Sequence, residues 1–225
     1  MAQFISSLFI TALACMATAA SAAPLNIQMH DQNGAPLADA VVTLQGPVGL
    51  PAGALKADMD QRAQQFAPHV LAVHTGTSIK FPNSDNIRHQ VYSFSPAKRF
   101  ELRLYEGTPS DPVLFDKPGV VVLGCNIHDW MLGYVYVTDD PRFGVSDTQG
   151  RLTLDAQAGV YHATLWHPQA AGMQPVDGGE VKIAAAGLAQ RFTLNIEAQA
   201  SQTPPTPAPS AFGDAFKRAA HETAQ

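Results

Sequence analysis

Residues Val120–Thr138 read VVVLGCNIHDWMLGYVYVT, and the fold turns on how this stretch divides. Val120–Gly124 and Leu132–Thr138 are rich in β-branched and aromatic residues, which favour strands. Between them, Cys125-Asn126-Ile127-His128-Asp129-Trp130-Met131 offers a thiolate, an imidazole and a thioether on a loop joining two strands. A second imidazole, His89, stands at the start of another strand-like run, Gln90–Ser95. Strands distant in sequence meet at one end of a β-sandwich, so His89 can close a site with the donors of the loop.

Working outward, the same texture continues. Gln64–His74, Thr77–Phe81 and Phe100–Tyr105 read as strands, and Phe100-Glu-Leu-Arg-Leu-Tyr105 alternates as a strand with one wet face should. Leu25–His30 and Ala40–Gln45 precede this series, with an Asn33-Gly34 hairpin signal between them. Gly46–Ala57 reads as a linker. After Pro141 come a turn, Asp147-Thr-Gln-Gly150, and strands at Arg151–Asp155, Gly159–His167, Glu180–Ala184 and Gln190–Glu197. From Ser201 the chain is Pro-rich and is expected to be a disordered tail, with a short helix over 211–225. There are 17 Gly and 17 Pro between short apolar runs, and no solenoid-type repeat. The expected class is all-β. Apolar residues make up 46% and charged residues 15%, enough to build a core, and the net charge of -5 gives no basic face for nucleic acid.

The first charged side chain is Asp31. Before it, Phe4–Ala14 is apolar and Ala20-Ser21-Ala22 is a small-residue cleavage pattern, so residues 1–22 read as a secretory signal peptide. The apolar run is shorter than the ~20 residues a spanning helix needs, so no transmembrane segment is expected after cleavage. Cys15 leaves with the signal, and the mature chain keeps Cys125 alone. In an oxidising compartment such a thiol is an exposed liability, an inert core residue or a ligand.

The donor types have a chemical meaning. Two His and one Cys around a weak axial Met is the donor set of a mononuclear type I (blue) copper, which assigns His89, Cys125, His128 and Met131 as ligands. Structural zinc favours four closed ligands with more than one Cys. A dinuclear copper centre needs a second bridging Cys, which is absent. A Cys125 nucleophile with His128 as base stays open, as does a plain core cysteine. No Gly-rich phosphate loop and no G-x-S-x-G occur, so the chain reads as a non-enzyme.

Cys-x-x-His-x-x-Met resembles the ligand loop of amicyanin and pseudoazurin, which are cupredoxins. The upstream half is similar too: Phe66-Ala-Pro68, Val73-His-Thr-Gly76-Thr77, then Phe81-Pro-Asn83-Ser-Asp85-Asn-Ile-Arg-His89. The resemblance spans about 60–138, roughly a third of the chain. It implies a Greek-key cupredoxin sandwich, one Cu(I)/Cu(II) ion, and one-electron transfer to a redox partner protein such as a cytochrome or dehydrogenase. It makes His128 the electron port. The run His89-Gln-Val-Tyr-Ser-Phe94 and the split flanks look like periplasmic cupredoxin-domain proteins often labelled methylamine-utilisation proteins. Two departures stand out: Gln90 where Asn is frequent, and Asp129 where amicyanin has Pro. The second function class left open is copper capture, delivery or sensing without electron transfer.

Residues 25–46 and 143–166 resemble the two halves of a carboxypeptidase-regulatory-like, transthyretin-type module. The expected organisation is therefore a signal at 1–22, flank strands and linker at 23–57, a cupredoxin domain at 58–139, the rest of the flanking β module at 140–198 and a tail at 199–225. Among other candidates, His69 and His74 lie at opposite strand parity, as do His162 and His167, which argues against two-His sites. Trp130 either covers the metal or packs into its loop. Arg88, Lys98, Arg99 and Arg103 either steer an acidic partner or solvate strands.

Overall fold

A computed structural model describes residues 22–46, 55–109 and 111–197, with side chains from Pro24 onward. Residues 1–21 of the expected signal, most of the linker and the tail with its expected helix lie outside the described residues, while Ala22, read as the last residue of the signal, opens the first strand. The first flank supplies β1 (Ala22–Asp31) and β2 (Val41–Gln45). The central segment supplies β3 (Lys56–Asp58), β4 (Asp60–Arg62), β5 (Gln65–Ala67), β6 (Val70–His74), β7 (Thr77–Lys80), β8 (His89–Ser95), β9 (Lys98–Tyr105), β10 (Val113–Phe115), β11 (Gly119–Cys125) and β12 (His128–Thr138). The second flank supplies β13 (Arg142–Val145), β14 (Arg151–Gln157), β15 (Gly159–Trp166), β16 (Val176–Ile183) and β17 (Leu188–Leu194). Among the described residues no helix is long and apolar enough to cross a membrane.

The flanks fold together. β1 lies between β14 and β17, and β2 lies between β13 and β15 with β16 outside it. β14 shows why: its residues alternate strictly between exposed and buried, with Leu152, Leu154 and Ala156 facing inward. They meet Leu25, Ile27 and Met29 of β1 and, across the sandwich, Val42, Leu44, Tyr161, Leu165 and Val181. The Asp147-Gly150 turn leads into β14. Gly150 has φ +73 and lies so close to β1 that a Cβ would strike the Met29 carbonyl oxygen, so glycine is required twice over.

The central strands form a second sandwich. A five-stranded sheet in the order β6-β12-β11-β8-β9 faces a short sheet, β10-β7-β3. The non-sequential order, with β6 parallel to β12 and β8 beside β11, is a Greek-key arrangement. Between the sheets lie Met59, Phe66, Ile79, Phe81, Val91, Phe115, Val121, Leu123 and Val135. The two sandwiches share a third cluster. Val41 and Trp166 of the flank pack on Val70, Tyr134 and Tyr136 of the five-stranded sheet. β2 and β12 are therefore buried on both faces. The expected class is the one observed: all-β, a Greek-key sandwich with an additional small sandwich formed by the flanking segments.

Some details differ from the sequence reading. Gln64–His74 is two strands, because Pro68 has no N–H to continue a ladder. β3 takes in Lys56 and Ala57, read as linker, because their backbone pairs with Ser78 and Ile79. β10 and β13 were too short to stand out. The Asn33-Gly34 turn exists, with Gly34 at φ +83 and the Asp31 carboxylate accepting from the Asn33 and Ala35 amides. It does not join β1 to β2 as a hairpin, since these strands enter different sheets.

Candidate metal centre

β11 and β12 extend further than their apolar runs suggest. Cys125 is the last residue of β11, His128 the first of β12, and the two pair directly across Asn126-Ile127. The donor loop is thus a two-residue turn with an irregularity between Gly124 and Cys125, and not an open loop. β8 runs beside β11, with Tyr92 opposite Gly124, and this brings its first residue, His89, to the same end.

The Cys125 Sγ lies 3.8 Å from His89 Nδ1 and 3.8 Å from His128 Nδ1. The two imidazole centroids are 5.0 Å apart, and the three donor atoms lie within 4.8 Å of one another. An ion about 2.3 Å from sulfur and about 2.0 Å from nitrogen, at roughly 120°, puts those atoms about 3.7 Å apart. The spacing fits a shared ion with near-trigonal angles. Among the described residues this is the one group of three or more His, Cys, Asp or Glu side chains so placed.

Met131 follows by parity. Along β12 the odd positions Val135 and Val137 face the central core, and Met131 shares their side, 1% exposed, in the same cluster as Cys125. His89 is fully buried and Cys125 3% exposed, whereas His128 is only partly buried. Burial holds the His128 pKa below its ordinary value, and the neighbouring His89 pushes the same way. A neutral ring is the form that ligates a metal. Trp130 stands beside His128, ring centroids 5.2 Å apart.

Sequence reasoning assigned no role to Asp85. Its Oδ2 lies 2.7 Å from His89 Nε2, and a carboxylate only accepts, so Nε2 is the donor in this contact and Nδ1 is the ring nitrogen that faces Cys125. Burial alone would push the Asp85 carboxyl up. The Gln64 amide, the His89 ring and the Ala63 amide outweigh it and hold the carboxyl below its usual range. Asn83 steadies the same arch: its amide group donates to the Ile87 and Tyr105 carbonyls, and its Oδ1 accepts from the Asp85 N–H. The available signal was an Asp four residues before His89.

The other candidates fall elsewhere. His69 pairs with Asp39 at 2.8 Å, and His74 stacks edge-on against Phe143, both where the sandwiches meet. His162 is exposed beside Asp177, while His167 is buried and bonds the Ala38 carbonyl. Arg88 pairs with Glu106 and Lys98 with Asp116; Arg99 and Arg103 lie exposed on β9.

No family model matches the chain, and no curated protein sequence is significantly similar to it. Several solved structures are. A purple cupredoxin from Nitrosopumilus maritimus matches at 21% identity over 36% of this chain and 99% of its own, with a TM-score of 0.33. An oxidised mutant of amicyanin matches at 16% identity over 43% of this chain and 98% of its own, with a TM-score of 0.34. A copper-containing nitrite reductase from Thermus scotoductus SA-01 matches at 23% identity over 42% of this chain but 27% of its own, with a TM-score of 0.35.

Proposed function

We propose that this chain is an exported type I copper protein that transfers single electrons. The observation that carries the reading is the Cys125 sulfur lying equally far, 3.8 Å, from Nδ1 of His89 and of His128. Copper bound there supplies a one-electron Cu(II)/Cu(I) couple, and the soft thiolate suits it better than a hard cation. Met131 is assigned as the weak axial donor. We assign 58–139 as the copper domain, 23–57 and 140–198 as the flanking module, and 1–22 as the signal that sends the chain to the periplasm.

The side chains divide the work. Cys125 and His89 are shut from water, and strand pairing holds both with His128. A site with little freedom to rearrange favours fast transfer. His128 alone of the three reaches the surface, beside exposed Ile127, and gives a redox partner such as a cytochrome or dehydrogenase its point of approach. Asp85 keeps the His89 proton on Nε2.

The test is to load the purified mature protein with Cu(II) and record visible absorption and EPR spectra beside a Cys125→Ser variant. An intense colour with narrow copper hyperfine splitting, lost in the variant, is expected. A pale Cu(II) spectrum indifferent to the substitution would overturn the reading.

A further inference from the structure

Ala63 and Gln64 both have positive φ, 51° and 59°. Two consecutive left-handed residues between the paired positions Arg62 and Gln65 make a tight hairpin turn joining β4 to β5. Such turns ordinarily take Asn and Gly, because a Cβ strains the left-handed region. Here neither position is Asn or Gly, and strain of this kind persists where surrounding structure over-determines it.

The Asp85 carboxylate holds the turn. The Ala63 N–H donates to Asp85 Oδ1 at 2.7 Å, and the Gln64 N–H donates to Asp85 Oδ2 at 2.9 Å. The left-handed conformation points both amides at one carboxylate. That carboxylate is the group that fixes the buried ring of His89, and its side chain is only 15% exposed. The base of the hairpin is tied to the same arch. The Gln61 N–H donates to the Pro82 carbonyl at 3.0 Å, and the Ser84 N–H to the Gln61 carbonyl at 3.0 Å. The other arm reaches the opposite ligand strand: Phe66 lies against Gly133 of β12, so close that a Cβ there would come within 2.7 Å of it.

We propose that the Asp60–Ala67 hairpin is a brace for the metal centre, with its strained tip, Ala63 and Gln64, positioning His89 through Asp85. The proposal rests on the copper reading for its purpose but not for its test. Both tip residues act through the Asp85 carboxylate, to which their amides donate. With the tip released, Asp85 keeps its charge and loses two of the donors that orient it. His89 then samples other ring orientations and the other tautomer.

The first measurements need no copper. In the metal-free protein, 15N shifts should place the His89 proton on Nε2. Hydrogen exchange should find the Ala63 and Gln64 amides protected, and exposed in Asp85→Ala. An Ala63→Val/Gln64→Val pair, which resists positive φ, should lose the single tautomer. An Ala63→Gly/Gln64→Gly pair should keep it. With Cu(II), chelator competition should show affinity reduced about 10- to 100-fold in the Val pair, as in Asp85→Ala. The triple variant should fall short of the product of the two effects. Should the Val pair not fold, the amide protection and its loss in Asp85→Ala decide the matter. The brace is overturned if those amides exchange alike in wild type and Asp85→Ala, or if a folded Val pair keeps wild-type tautomer and affinity. A wild type that shows no Cys125-dependent colour defeats the copper reading alone.

Discussion

Trp166 of the flanking sandwich stands edge-on to Tyr134 of the central one, ring centroids 5.9 Å apart and planes at 60°. Tyr136 packs on the same indole at 5.4 Å, and the indole N–H donates to the Met173 carbonyl. Trp166 is fully buried, so this one side chain carries much of the contact between the bodies. Trp166→Ala is expected to cost about 3–5 kcal/mol. Urea unfolding should show it, with one transition expected for the native protein and two for the variant, since each sandwich has a core cluster of its own.

Gly133 gives a second prediction. A Cβ there would lie within 2.7–2.8 Å of three Phe66 atoms. Both residues sit in a closed core, so Gly133→Ala is expected to destabilise by about 1–3 kcal/mol through overpacking. Adding Phe66→Ala should recover part of the first loss, because the clash partner is gone. Two losses that simply add in thermal melts would contradict the contact.

Acid should weaken the fold through His167. Burial pushes its pKa below the ordinary value, against the raising effects of its bond to the Ala38 carbonyl and of Asp39. The unfolded chain therefore binds the proton first. The contribution of neutral His167 is complete above the unfolded value of about 6.5 and is lost as pH falls from there through the folded value. The slope from this group is at most about 1.4 kcal/mol per pH unit. Stability curves between pH 7 and 4 should flatten in His167→Gln relative to wild type.

Much of this was legible in the sequence, for physical reasons. Val120–Thr138 announces two strands because its apolar runs are rich in β-branched and aromatic residues, and the donors between them are residue types with few other uses at that spacing. The flanks could be matched because D-x-x-G at 147–150 is a turn only glycine completes. Three things were not legible. The third cluster joins Val41, Val70, Tyr134, Tyr136 and Trp166, and no local pattern says that β2 and β12 are covered on both sides by different sandwiches. β10 and β13 are too short for periodicity to show. The brace at Ala63 and Gln64 was hidden because those residues contradict the turn they form, and a strained site is where local preference misleads.

Met131 provides the last prediction, because packing and ligation can be separated there. Leu has nearly the volume of Met, so Met131→Leu should cost less than about 1.5 kcal/mol in the core. It also removes the axial sulfur. If Met131 is a ligand, losing a donor penalises Cu(II), the more highly charged state, more than Cu(I), and the reduction potential should rise. Met131→Gln replaces the thioether with a harder oxygen donor that favours Cu(II), and the potential should fall. Cys125-dependent colour should survive in both, because the thiolate and the two imidazoles are untouched. Redox titration of the three proteins reads the order directly. Potentials that coincide, together with melting temperatures that differ, would make Met131 a core residue beside the site and leave the donor set to His89, Cys125 and His128.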